Sequence, residues 1–185
     1  PRKPEPMAAS FDAMAVVLAG RLGLIAATAT QRRNSQEILR MALDTLRLGL
    51  PFTRALYFIP DKERRLLLPR VASGDSAQRL LSELQVPLAK GAKDPFSSAF
   101  FNAVPIFLGD VTRPGDELEV PSWFAQQVGA RGLYVQPVVH NGEVIGLLYG
   151  DADQPLAPLG EKERAFLDKL GTTLAAALAR KSTAR

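Results

Sequence analysis

Four carboxylates crowd one polar stretch of the chain: Asp110, Asp116, Glu117 and Glu119. Paired carboxylates can move protons or hold a hard cation. Their spacing does not match a helix–loop–helix calcium loop, so a solvated loop is the default. The chemistry they leave open is that of a small carboxylate-dependent hydrolase or isomerase. His140 is the sole histidine, and there is no cysteine. Protein metal sites draw on several such ligands, so no metal site is expected. No G-x-S-x-G element marks a serine nucleophile. No Walker or G-x-G-x-x-G pattern cradles a phosphate. No catalytic residue is assigned, and the chain is expected not to be an enzyme. Without cysteine there are no disulfides and no thiolate chemistry, which fits a reducing, cytoplasmic compartment.

The elements that must position these residues follow from periodicity and turn chemistry. Residues 1–9 read as a linker that opens PRKPEP. With no initiator methionine, the chain is expected to be a piece of a longer protein. Ser10 is expected to cap a helix that runs to about Thr28, with Phe11, Met14, Val17, Leu18, Leu22 and Ile25 at helical spacing. Residues 10–33 are expected to form a signalling or dimerisation helix. Its apolar run carries Arg21 at the centre, a cost of about 2.5–3.5 kcal/mol in a bilayer, so a packed helix is expected rather than a membrane span. A second helix starts at Asn34 and ends at Gly49 and Pro51. The period then shortens. Arg54–Ile59 and Arg65–Ala72 read as an antiparallel strand pair, with Pro69 at an edge or a bend. Short helices are expected near 75–83, 96–102 and 121–130, and a strand at 104–108. A second strand pair joins at Asn141-Gly142, a type I′ turn signal that places His140 at an exposed corner. Gly146 and Gly150 within the return strand point to close approach, most simply by a helix. A long helix closes the chain at 161–181, followed by a short tail at 182–185.

The formal charge is +4, but +3 lies in residues 1–33 and another +3 in the last six residues, leaving the middle at −2. Nucleic-acid modules place their basic patch on the folded body; none is expected here. The sheet is expected to be mainly antiparallel in an α+β fold.

At Pro137–Asp151, PVVHNGEVIGLLYGD, the chain resembles the last hairpin of a GAF domain. Leu50-Pro51-Phe52-Thr53-Arg54-Ala55-Leu56-Tyr57-Phe58 resembles that family's entry into its first strand. Val104–Val111 resembles its middle strand, and Leu159–Arg180 its closing helix. The resemblance covers residues 34–181. It implies a central antiparallel sheet of five to six strands, with long terminal helices on one face and short helices and loops over the other. It further implies a sensory or regulatory module of a bacterial-type signalling protein. Such modules often dimerise through their terminal helices and sit beside signalling domains such as HDOD. No membrane partner is expected. The cofactor is left unknown. Lack of cysteine removes the covalent bilin and the cysteine chemistry of GAF-type methionine sulfoxide reductases. Haem would need a buried histidine, and the cyclic-nucleotide signature of the family is missing.

In this architecture the segments carrying Phe96, Phe100, Phe101, Trp123, Phe124 and Tyr134 would wall a cavity over one sheet face. Ser73, Ser97, Ser98, Asp110 and Gln136 could add polar contacts. The expected ligand-binding set is Phe96, Phe100, Asp110, Trp123, Phe124, Tyr134 and Gln136. The same aromatics could instead fill the core, which leaves a ligand-free dimerisation module as an alternative.

Overall fold

A computed structural model describes residues 7–28 and 34–182. Residues 1–6 of the expected linker and 183–185 of the expected tail lie outside the described residues, as do 29–33 of the expected dimerisation helix. Helix α1 spans Met7–Thr28 and α2 spans Ser35–Gly49. Ser10 is therefore inside α1 rather than at its cap. The start of α2 is as its sequence dictates: the Asn34 side chain accepts a hydrogen bond from the Gln36 amide at 3.2 Å, and Glu37 stands in the first turn. Ile38, Leu39, Ala42, Leu43 and Leu46 are buried along one face.

The strands are β1 (Arg54–Asp61), β2 (Leu66–Gly74), β3 (Val86–Pro87), β4 (Ile106–Leu108), β5 (Gly132–His140) and β6 (Glu143–Ala152). They make one six-stranded sheet in the order β3-β2-β1-β6-β5-β4, antiparallel at every pairing. Asn141 and Gly142 both take positive φ, +50° and +79°, as the turn between β5 and β6 requires. Pro69 sits at a bulge: Tyr57 pairs with Val71 and Phe58 with Pro69, so Arg70 is the extra residue. The short helices are α3 (Ala77–Glu83), α4 (Pro95–Asn102) and α5 (Ser122–Gln127), and α6 (Glu161–Ser182) closes the fold. Asp94 caps α4 by accepting from the amides of Phe96 and Ser97, with Pro95 at the first helical position.

Strand alternation divides the interior into two cores. On one face Ala55, Tyr57, Tyr134, Val138 and Leu148 pack with α1, α2 and α6. On the other Leu56, Phe58, Leu133, Val135, Leu147 and Tyr149 pack with α3, α4 and α5. The α+β layering expected from the sequence is the one observed. The glycines of β6 face the helical side, but an aromatic side chain fills the space rather than a helix. A Cβ on Gly146 would run into the Tyr57 hydroxyl, and one on Gly150 would lie 2.6 Å from the Phe52 ring.

Candidate functional site

The sheet separates the residues that the sequence offers for one pocket. Phe96, Trp123 and Phe124 come together on the short-helix side, where Phe96 and Phe124 are fully buried. Ring centroids lie 5.9 Å apart for Phe96–Trp123, 6.3 Å for Phe96–Phe124 and 5.6 Å for Phe96–Tyr149. At these separations the rings are in mutual contact, so they fill a core instead of walling a cavity. Tyr134 and Gln136 stand on the opposite face. The Tyr134 hydroxyl donates to Gln136 Oε1, and Gln136 packs against Gly171 of α6. Burial, with Asp168 nearby, raises the Tyr134 phenol far above its ordinary range.

The expected polar contacts are engaged elsewhere. The Ser97 hydroxyl accepts from the Ala89 amide at 3.1 Å, and the Ser98 hydroxyl donates to the Ala92 carbonyl at 3.4 Å. The Ser73 hydroxyl donates to Asp44 at 2.5 Å, towards α2. Asp110 lies in the loop after β4 and does not line the cleft beside Phe100. The Thr112 hydroxyl and amide donate to its carboxylate, with Arg131 at 3.2 Å, and together they hold it at about 2. Asp116, Glu117 and Glu119 are exposed. Among the described residues no group of three or more His, Asp or Glu is placed to hold a metal ion. His140 ends β5 and is half-buried, lining a groove with Asp168, Gly171 and Ala175 of α6. The exposed corner expected for it is corrected to a half-buried position at the edge of the groove along α6.

Of the expected set only Phe100 lines the cleft on the short-helix side. That cleft, of about 460 Å³, lies under the β1–β2 turn. Its walls are Pro60, Asp61, Lys62 and Arg65 of the turn region, Leu88 and Lys90 after β3, and Phe100 and Phe101 of α4. Its size falls within the range of small-molecule sites.

A buried ionic network was not singled out in the sequence. Arg54 Nε donates to Asp151 Oδ1 at 2.7 Å, and the Tyr149 hydroxyl donates to Asp151 Oδ2 at 2.7 Å. Arg54 is 6% exposed and Asp151 0%. Burial raises the Asp151 carboxyl above its ordinary range, against the pull of Arg54 and the Tyr149 hydroxyl. Burial works against the Arg54 charge too, but Asp151 outweighs it and the guanidinium stays ionised. Arg54 and Asp151 are direct cross-strand partners, and the Thr53 amide adds a 2.7 Å bond to the Asp151 carbonyl. The sequence signal was an arginine opening one strand and an aspartate next to the end of another, each beside an apolar run.

A family model for the GAF domain matches residues 32–179. The GAF domain of a phosphoenolpyruvate-protein phosphotransferase from Coxiella burnetii superimposes with a TM-score of 0.71 at 19% identity, covering 90% of this chain and 95% of that one. Free methionine-R-sulfoxide reductase from Neisseria meningitidis gives 0.70 at 18% identity, over 92% and 93%. Residues 122 to 287 of a methyl-accepting chemotaxis protein give 0.68 at 18%, over 84% and 95%. No curated protein matches the sequence. The reductase corrects one expectation. Its fold carries catalysis, so sharing that fold gives no ground for holding that the present chain is not an enzyme.

Proposed function

This chain belongs to the GAF domain family, and from that premise we propose that it is a sensory or regulatory module of a cytoplasmic signal-transduction protein. A small molecule in the cleft beside Phe100 biases the packing of α1, α2 and α6. The chemotaxis protein among its structural neighbours supports a signalling role. The observation that carries the reading is a run of contacts from the cleft to the paired strand ends that connect with α2 and α6. Phe100 near the end of α4 walls the cleft, and Phe96 at its start stacks on Tyr149. Tyr149 donates to Asp151, and Asp151 pairs with Arg54. Arg54 is where the chain leaves α2 for the sheet, and Asp151 is where it leaves the sheet towards α6. A ligand that prefers one arrangement of α4 therefore favours one arrangement of that junction.

The outer face of α1 supports a homodimer. Val16, Val17 and Leu24 are exposed, at 85%, 48% and 56%, and Gly20 and Gly23 beside them have open space above Cα. By length and composition this helix could also cross a membrane. Yet Leu18, Leu22 and Ile25 are buried against the other terminal helices, and Arg21 donates to Thr45 of α2 at 2.9 Å. The filled core around Phe96 favours a second reading, a dimerisation module without ligand. Amide chemical shifts recorded with metabolite mixtures separate the two. Shifts at Phe100 and Leu88 that spread to α2 and α6 support the sensor; a spectrum unmoved by every mixture supports the second reading.

A further inference from the structure

The structure assigns the cleft under the β1–β2 turn to an organic anion with a flat apolar body, an inference that rests on reading this cleft as the ligand site. Its floor is apolar, with Pro60, Leu88 and the Phe100 and Phe101 rings, which meet edge to face at 5.2 Å. Its rim is cationic. Three cations, Lys62, Arg65 and Lys90, stand against one carboxylate, Asp61. That carboxylate is already engaged, accepting from the Arg64 amide at 3.0 Å with Arg64 Nε 3.7 Å away. Lys62 lies 3.6 Å from Glu143. Arg65 and Lys90 have no acidic partner among the described residues. Two uncommitted cations over an aromatic floor suit a carboxylate, sulfonate or phosphate carried on a planar ring system.

The backbone adds an independent observation. Arg65 takes φ +53°, a left-handed conformation that glycine or asparagine adopts at less cost. Its carbonyl accepts from the Leu88 amide at 2.8 Å, which ties the rim to the floor. A long cationic side chain at a position whose backbone favours glycine is strain kept where a cation is of use.

The test uses the whole chain and a matched pair of probes, naphthoate and its neutral amide, with amide shifts and titration calorimetry as readouts. Naphthoate is expected to bind with shifts at Phe100 and Leu88. Naphthamide is expected to bind about tenfold more weakly, the worth of one charge-assisted hydrogen bond. Arg65→Gly and Lys90→Gln should each weaken naphthoate towards the amide value and leave the amide unchanged. Arg65→Gly should not lower the melting temperature, which keeps the loss separate from misfolding. Equal binding of both probes at the cleft, or undiminished naphthoate binding by the Arg65→Gly/Lys90→Gln double variant, would overturn the anion assignment alone. No shift at Phe100 or Leu88 with either probe would overturn both the assignment and the cleft reading.

Discussion

Replacing Asp151 with alanine removes the acceptor of two buried donors at once. Arg54 loses its 2.7 Å partner, and the nearest remaining acid, Asp153, is 3.4 Å away and 60% exposed. The Tyr149 hydroxyl loses its 2.7 Å acceptor inside a fully buried site. Leaving one member of a buried pair without compensation costs about 3–5 kcal/mol. In a chain of this size that is a fall in melting temperature of roughly 6–20 °C. The assay is urea unfolding at neutral pH followed by far-ultraviolet circular dichroism. The double variant Arg54→Met/Asp151→Leu takes away both charges and fills the space. It should recover to within about 1 kcal/mol of the parent, because a buried pair replaced by apolar groups is often neutral. A loss below about 1 kcal/mol for Asp151→Ala, or a double variant as unstable as the sum of its singles, would refute the claim that this pair is buried and coupled.

Three further outcomes follow from particular contacts. Gly150→Ala puts a methyl group 2.6 Å from the Phe52 ring, so it should destabilise by about 1–3 kcal/mol in the same assay; an unchanged midpoint would contradict the packing. Asp110 is held at about 2 by Thr112 and Arg131. Its folded pKa is depressed, so its contribution to stability is present above the ordinary carboxylate range and is lost as pH falls through about 2. Carbon-detected NMR titration should place its midpoint there, and a midpoint at the ordinary value near ~3.9 would contradict the hydrogen bonding. Gly20→Ala should stabilise α1 by about 0.5–1 kcal/mol, whereas Gly20→Arg should leave the monomer folded and abolish the dimer in sedimentation velocity.

Local structure was legible where one residue type dictates it. Asn34 as a cap and Asn141-Gly142 as a turn follow from local chemistry, whereas the layering of long and short helices came from the resemblance to GAF domains. The site was less legible, because its determinants are long-range. Nothing local shows that Arg54 faces Asp151, since β1 pairs with a strand almost a hundred residues later. Tyr134 and Gln136 were placed beside Phe96 because β5 is almost wholly apolar, which hides its alternation. Yet the period-two rule puts both on one face, opposite Leu133 and Val135. Phe96, Trp123 and Phe124 share one side of the sheet as expected. Whether such rings line a void or fill it depends on side-chain separations that no sequence pattern carries. The cleft itself uses backbone-dependent features, above all the left-handed Arg65, that composition does not reveal.

The central claim is that the cleft and the terminal helices respond together. Amide hydrogen exchange, with the cleft empty and then saturated with naphthoate, tests it most directly. The account predicts altered protection in α4 and, beyond it, in α2 and α6, with the distant changes lost in Tyr149→Phe, which keeps the ring and removes the bond to Asp151. Changes confined to the cleft walls in the parent chain, or distant changes that persist in Tyr149→Phe, would contradict it.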